Sequence, residues 1–600
     1  DQGHFQVMSV DDPTHDAEGN RALLQRAVER HHAGALSEAI DLYRQALDGA
    51  AMSVDGTVEG EVWRLLGVAL RTAGDFGGAL DALDNALART PGDALVLVER
   101  GATLQDLGRP ADAVKVLRTV TPLPSESVLG HATLADAYRA LDQIDVAIPH
   151  YRRLVELAPD IIDAHINLGA CLQKTGDVVG AIACYRAALD ADQHSGAAAT
   201  NLGLALMKTG GLDAAVAPLE RGVALDPSDP LALNGLGAAY LRLGRTDDAE
   251  RAIRRAIDAA PDHAPAWSNL GNVYQDRRRL DDALAAHDKS VALDPENGEL
   301  HWNRAMTLLL SGDLERGFTA YEWRRRTRDH APPDHDSPLW DGGDPAGKHL
   351  LLLAEQGFGD MIQSARYAPL LATRGARVTL ACPPKLLNLF GSLGRDIALV
   401  TNTGDARDVN CHAPLMSLPF LCGTTAGTIP VDIPYLAAPP GATRPPPPSG
   451  RRRVGLCWTG NPDHPDNPHR SCPLDAFAPL FRQDGIEWIS LQYGYGAAPG
   501  AYADRLADWT EFLEGFANTA AALEALDLVI TIDTSTAHLA GALGRPTWLL
   551  LKFTPDWRWM LDRDDSPWYP TLRLFRQSHA GRWDDVITRL EHRLRDWIIE

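Results

Sequence analysis

Three stretches of this chain place charged and hydrogen-bonding side chains where a ligand could be held. Asp533, Thr534, Ser535 and Thr536, with His538 close behind, follow an apolar, β-branched run from Asp527 to Ile532 that reads as a buried strand. Ala537 to Leu543 reads as a short helix closed by Gly544, and Pro546 starts a second apolar strand that runs to Leu551. Unpaired N–H groups and the positive end of a helix favour an anion, typically a phosphate. The same residue types also cap helices with no ligand involved. The second stretch, Glu355-Gln356-Gly357-Phe358-Gly359-Asp360, is a tight turn after another strand, although it is neither a full G-x-G-x-x-G nor a Walker sequence. The third, Thr459-Gly460-Asn461-Pro462 with His464, His469, Arg470 and Ser471, follows Val454 to Trp458. Arg470 can neutralise a phosphate or serve as a surface arginine.

The elements that must position these turns alternate between strand and helix. His349 to Ala354 reads as a strand, Met361 to Ala372 as a helix and Val378 to Ala381 as a strand; after a Pro/Arg-rich linker come further strands at 454–458, 486–492, 528–532 and 547–551. This pattern predicts two doubly wound lobes facing a cleft, residues 349–440 and 453–600, with ligands at the carboxyl ends of the strands. Trp583 to Ile599 reads as a terminal amphipathic helix. Ten of the 14 tryptophans lie from Trp340 onward; Trp557, Trp559 and Trp568 among them can stack on a sugar or base, or fill the core.

Residues 21–329 repeat with a period of 34. A small residue recurs at Gly67, Gly101, Ala135, Gly169, Gly203, Gly237, Gly271 and Ala305, with an alanine twelve later from Ala79 to Ala283. Prolines close five units at Pro91, Pro159, Pro227, Pro261 and Pro295. The pattern resembles the tetratricopeptide repeat, about nine helical pairs stacked into a superhelix with a concave binding surface. A divergent first pair, Arg21 to Gly49, precedes an insertion at 50–61; residues 1–20 read as a tail and 330–348 and 441–452 as linkers. Two positions before the small residue stand Asn167, Asn201, Asn269 and Asn303, interrupted at Gly235 with Asn234 beside it. An amide both donates and accepts, so such a row can clamp an extended polypeptide backbone; bonding within each repeat is the other reading.

The composition, 45% hydrophobic and 23% charged, is that of a globular protein, and 600 residues suffice for several domains. A formal charge of −23 argues against nucleic acid and anionic membranes as partners. No apolar run reaches the ~18 residues of a membrane span, and the polar first residues hold no signal-peptide core. The chain does not open on Met, which leaves its true start open. Seven cysteines without a C-x-x-C pair fit reduced thiols in a cytoplasm.

At the AEQGFGD turn and the D-T-x-x-x-H-L-A-x-A-L-G-x-P block the C-terminal half resembles GT-B glycosyltransferases, especially the clan of bacterial ADP-heptose transferases. With WTGNPDH, HRSCPL, PDWRWM and RDDSPWYPTLRLFRQ added, the whole chain is similar to bacterial proteins that fuse such a half to tetratricopeptide repeats, some of which modify flagellin. The resemblance implies a cytoplasmic, metal-independent, inverting protein O-glycosyltransferase without a resident cofactor. A nucleotide-sugar would be its co-substrate and a polypeptide, flagellin first, its acceptor. It makes Asp360 the catalytic base, and the row Asn167, Asn201, Asn269 and Asn303 read from the repeats would then be the acceptor side. Gly357, Gly359, Thr459, Asn461, Arg470, Asp533, Thr534, Ser535, Thr536 and His538 fall on the donor side. Arg470 stands near the place of a phosphate-binding lysine, and Ser535 replaces a frequent glycine. The alternatives are a catalytically inactive scaffold and a transferase acting on a lipid-linked saccharide. Asp562-Arg563-Asp564 is a formal D-x-D of metal-dependent enzymes, but no strand precedes it.

Overall fold

A computed structural model describes residues 15–48, 56–120, 124–327, 331–448, 450–494, 502 and 504–599. The chain divides into two compact units, Asp1–Ala239 and Tyr240–Glu600. Residues 1–14 of the expected tail and 50–55 of the expected insertion lie outside the described residues. The tail is shorter than expected, because a helix already runs from His15 to His32. The insertion likewise ends early, where the helix Gly56–Thr72 begins.

Among the described residues, eighteen helices from His15–His32 to Leu314–Tyr321 follow one another as nine pairs. At several of the repeated small residues a side chain of the second helix of the pair presses onto the first. A Cβ added at Gly67 would lie 2.8 Å from Leu83, at Gly101 2.7 Å from Leu117, at Gly169 2.6 Å from Tyr185 and at Gly203 2.5 Å from Leu219. The corner between the two helices needs a left-handed residue, and Gly74, Gly108, Gly176, Gly210, Gly244 and Gly312 provide it. Asp142 and Arg278 stand at the same corner with φ of 59°, a costlier choice for a residue with a side chain. Arg278 is held there by contacts outside its repeat. Its Nε donates to the Phe553 carbonyl at 2.9 Å and its guanidinium lies 3.8 Å over the Phe553 ring.

The second unit carries two parallel sheets. In the first, β1 (His349–Leu353), β2 (Arg377–Ala381), β3 (Ile397–Val400) and β4 (Cys411–Pro414) lie in the order β3-β2-β1-β4. In the second, β5 (Arg452–Cys457), β6 (Ile486–Ser490), β7 (Leu506–Asp508), β8 (Leu528–Ile532), β9 (Thr547–Leu551) and β10 (Leu572–Arg576) lie in the order β10-β9-β8-β5-β6-β7. The order therefore reverses beside β1 in one sheet and between β5 and β8 in the other, and ligand crevices form at such reversals. Strands β1, β8 and β9 are buried along their whole length, which is why they read as continuous apolar runs rather than alternating ones.

Several boundaries move. The expected helix Met361 to Ala372 is two, Phe358–Ser364 and Tyr367–Thr373. They part at the buried Arg366, whose guanidinium reaches the carbonyls of Gln363, Pro430 and Trp568. The 330–348 linker is partly sheet edge: Trp340 N–H donates to His412 and His412 N–H to Pro338, with the Trp340 side chain buried. The 441–452 linker ends where β5 begins at Arg452, and the buried Arg453 bonds the carbonyls of Pro446 and Pro447, both at 2.9 Å. Trp557, Trp559 and Trp568 are core. The terminal helix is Asp584–Ile599, and all seven cysteines are free thiols.

Candidate functional site

The three turns singled out by their residue types all lie at carboxyl strand ends, after β1, β5 and β8, and the fold brings them together. The helix Phe358–Ser364 after β1 packs directly on the helix Ser535–Ala542 after β8. A Cβ at Gly359 would lie 2.7 Å from His538 Cδ2, so only glycine permits this approach. A Cβ at Gly460, after β5, would lie 2.8 Å from Arg470 Nη2 and 3.3 Å from Thr534 Cγ2. The turns after β1 and β8, and those after β5 and β8, thus meet in direct contact here. Phe358 and Phe516 extend that contact, with ring centroids 5.0 Å apart.

Asp360 is the third residue of its helix, not the cap. Its Oδ2 reaches back to accept the Gly357 N–H at 2.8 Å, and its Oδ1 is ion-paired with Arg558 Nη2. Arg558 is buried and also bonds Asp556 Oδ1 at 2.9 Å and Gln363 Oε1. Burial disfavours the charge of this guanidinium, but Asp556 and Asp360 outweigh it and hold its pKa above the ordinary arginine value. Arg558 therefore ties the first turn to the segment after β9. The sequence reading missed it, because its partner on the first turn, Asp360, lies 198 residues away.

On the β8 side, Thr534 is the N-cap residue, yet its side chain makes no capping bond. Capping therefore does not account for its hydroxyl. Among the described residues that hydroxyl is buried without a hydrogen-bond partner, and burial raises the nearby Cys457 thiol against the opposing effect of Thr531, Thr534 and Thr536. Ser535 is half-buried at the helix start. Arg470 Nη1 donates to the Asp533 carbonyl at 3.0 Å, bringing its positive charge to this turn. The Asp533 carboxyl is pushed up, first by burial and then by Asp556, against the pull of Arg470 and Arg558. His538 is buried: its Nδ1 faces Tyr569 OH at 3.0 Å and its ring lies 5.4 Å from Trp559. Desolvation, then Arg558 and Arg366, hold it well below the usual histidine value, so it is a neutral member of the joint between helices. That placement corrects the expectation of a histidine open to phosphate, because the close packing at Gly359 covers it.

The β5 turn is braced internally. Gln492 Oε1 accepts the Thr459 N–H at 3.2 Å and its Nε2 donates to the Thr459 carbonyl at 2.9 Å. Thr459 Oγ1 lies 3.0 Å from Ser471 Oγ, and Asn467 Oδ1 accepts the Gly460 N–H at 3.0 Å. Asn461 uses its side chain on its own turn, accepting from Asp463 N–H at 3.1 Å. The exposed His464 accepts the Asp466 N–H at 3.2 Å. Lys552, at the end of β9, pairs with Asp466 at 2.7 Å and adds a second cation that the sequence reading did not name. Among the described residues, no group of three or more His, Cys, Asp or Glu is placed to hold a metal ion. Asp562 and Asp564 are exposed.

Asn167 and Asn201 are half-buried on the first helices of their repeats in the first unit. Asn269 and Asn303 occupy the same helical position in the second unit, where Asn303 Nδ2 donates to Ser268 Oγ at 2.9 Å. At the interruption, a Cβ on Gly235 would lie 2.7 Å from Leu204 Cδ2, so a side chain there requires Leu204 to shift. Among the described residues, no helix is long and apolar enough to cross a membrane.

Family models for the tetratricopeptide repeat match residues 61–126, 133–196, 200–264 and 264–297, so this part of the chain consists of such repeats. A curated relative, protein FlbA of Caulobacter vibrioides, is 26% identical over 341 residues, covering 50% of this chain and 55% of its own. The chain thus spans about half the length of that relative. Among solved structures, MamA is similar at 28% identity over 27% of this chain and 95% of its own, with a TM-score of 0.26. YrrB, described as a TPR protein with an unusual peptide-binding site, is 22% identical over 30% of this chain and 92% of its own, with a TM-score of 0.26. The Cut9–Hcn1 hetero-tetramer of APC/C shares 16% identity over 52% of this chain and 74% of that one, with a TM-score of 0.34.

Proposed function

We propose that this protein is a GT-B glycosyltransferase that moves a sugar from a nucleotide-sugar to a Ser or Thr hydroxyl of a polypeptide held by the repeats. The observation that carries the reading is the convergence of the turns after β1, β5 and β8 at the two points where strand order reverses. The start of the helix Ser535–Ala542 lacks a side-chain cap and has Arg470 beside it, which suits a diphosphate. In the reaction, the bond between the anomeric carbon and the phosphate oxygen breaks and the pair leaves with the nucleotide. The acceptor oxygen attacks from the opposite face and its proton passes to Asp360, because a neutral hydroxyl is a poor nucleophile. Arg558 aims that carboxylate, and the positive helix end and Arg470 stabilise the leaving diphosphate.

Flagellin is the acceptor to test first, on the resemblance to repeat fusions that modify it. Flagellin co-expressed with the protein should gain the mass of a whole number of sugar residues, and lose that increment when Asp360 is replaced. An unmodified flagellin would remove it as acceptor. A second reading, an inactive scaffold, draws on one fact: both oxygens of Asp360 already have partners, Gly357 N–H and Arg558. Failure to bind any nucleotide-sugar would favour it. Transfer to a lipid-linked saccharide would instead show as a labelled lipid fraction in the same cells.

A further inference from the structure

The last repeat is bolted to the turn that carries Asp360. Arg324, fully buried, meets Glu355 at 2.9 Å, and Glu355 accepts the Met416 N–H at 2.9 Å. Three residues before Arg324, the Tyr321 hydroxyl lies 2.7 Å from Nε2 and 3.0 Å from Oε1 of Gln356. Gln356 has φ of 62°, a left-handed conformation that a residue with a side chain adopts only when something holds it. The next residue, Gly357, donates its N–H to Asp360 Oδ2.

We propose that Tyr321 is a positioning residue for Asp360: through Gln356 it holds the corner whose next N–H orients the carboxylate, so the terminal repeat is part of the reaction site. The inference rests on Asp360 being the base. Tyr321 occupies the position that Leu83, Leu117 and Tyr185 fill in other repeats, packing on the first helix of its pair. An aromatic ring alone would satisfy that packing. The hydroxyl is what reaches out of the repeat to the turn. Asp360 is then aimed from two sides, by Arg558 across the joint and by the last repeat through Gln356.

The test uses the full chain with Tyr321→Phe, which keeps the ring and removes only the hydroxyl. The acceptor is a peptide too short to span the repeats, so capture along the array does not enter. Tyr321→Phe should lower kcat on the order of 10-fold with little change in KM for the donor, as expected for a misplaced base. Amide exchange across residues 354–364 should quicken. Adding Gln356→Gly, which takes the left-handed conformation unaided, should restore both. Unchanged kcat and exchange in Tyr321→Phe would overturn the proposal, as would a loss that Gln356→Gly leaves untouched. If the wild-type protein transfers no sugar, the reading of Asp360 fails, while exchange still decides the clamp: quickening reversed by glycine supports it and no change sinks it.

Discussion

His287 gives the prediction with the best-defined magnitude. It takes the place in the eighth repeat that Leu83, Leu117 and Leu219 take elsewhere, fully buried, and a Cβ at Gly271 would lie 2.5 Å from its ring. Among the described residues, neither ring nitrogen has a hydrogen-bond partner. Desolvation pushes its pKa from 6.5 down to about 4, against a small upward pull from Asp288 and a further lowering by Arg304. The folded form thus keeps this imidazole neutral, while the unfolded chain binds a proton below pH 6.5. Between those values the unfolded state holds more protons, so the histidine's contribution is intact above pH 6.5 and is lost as pH falls towards 4. At about 1.4 kcal/mol per pH unit the loss amounts to roughly 3 kcal/mol. His287→Leu removes the titration and fills the slot as neighbouring repeats do. Urea unfolding of both proteins, followed at a series of pH values from 7.5 to 4.5, should show the leucine variant gaining about 2–3 kcal/mol over wild type on acidification. Comparing the two at each pH cancels the titrations they share. A stability difference independent of pH would refute the argument.

Asp360→Asn keeps an acceptor for Gly357 N–H and leaves Arg558 with Asp556 and Gln363. It should fold and bind nucleotide near normally while transfer drops ~10²-fold or more, and near-normal transfer would move the base elsewhere, with His464 next to test. Gly359→Ala puts a methyl 2.7 Å from His538 and should cost about 1–3 kcal/mol in denaturant titration; an unchanged midpoint would mean the helices do not pack this closely. Replacing Asn167, Asn201, Asn269 and Asn303 with Ala should weaken binding of a long polypeptide acceptor by ~0.5–1.5 kcal/mol per lost bond and affect a short peptide less. Equal affinity would remove the row from acceptor capture. Transfer should survive EDTA, because in the proposed reaction the helix end and cations would stabilise the leaving phosphate; loss restored by Mn²⁺ would instead bring Asp562 and Asp564 into the mechanism.

The 34-residue period, the apolar strands and the turns after them were legible in the sequence because each depends on local spacing. A helix pair needs its small residue at a fixed offset, and a buried parallel strand needs an unbroken apolar run such as residues 350–353. The rule that ligands bind at the carboxyl ends of strands in an open parallel sheet made the turns after β1, β5 and β8 the places to look, and Asp360, Thr534 and Arg470 all lie there. What the tertiary structure decided is which of these residues are spent on one another. Arg558 finds Asp360 across 198 residues, Tyr321 finds Gln356 across two domains of the sequence pattern, and His538 disappears beneath Gly359. None of these pairings leaves a periodic trace, because each is made by single side chains on elements far apart in the chain. His287 shows the same limit from the other direction. Its position marks it as core, but only burial without a partner makes it a titrating weak point.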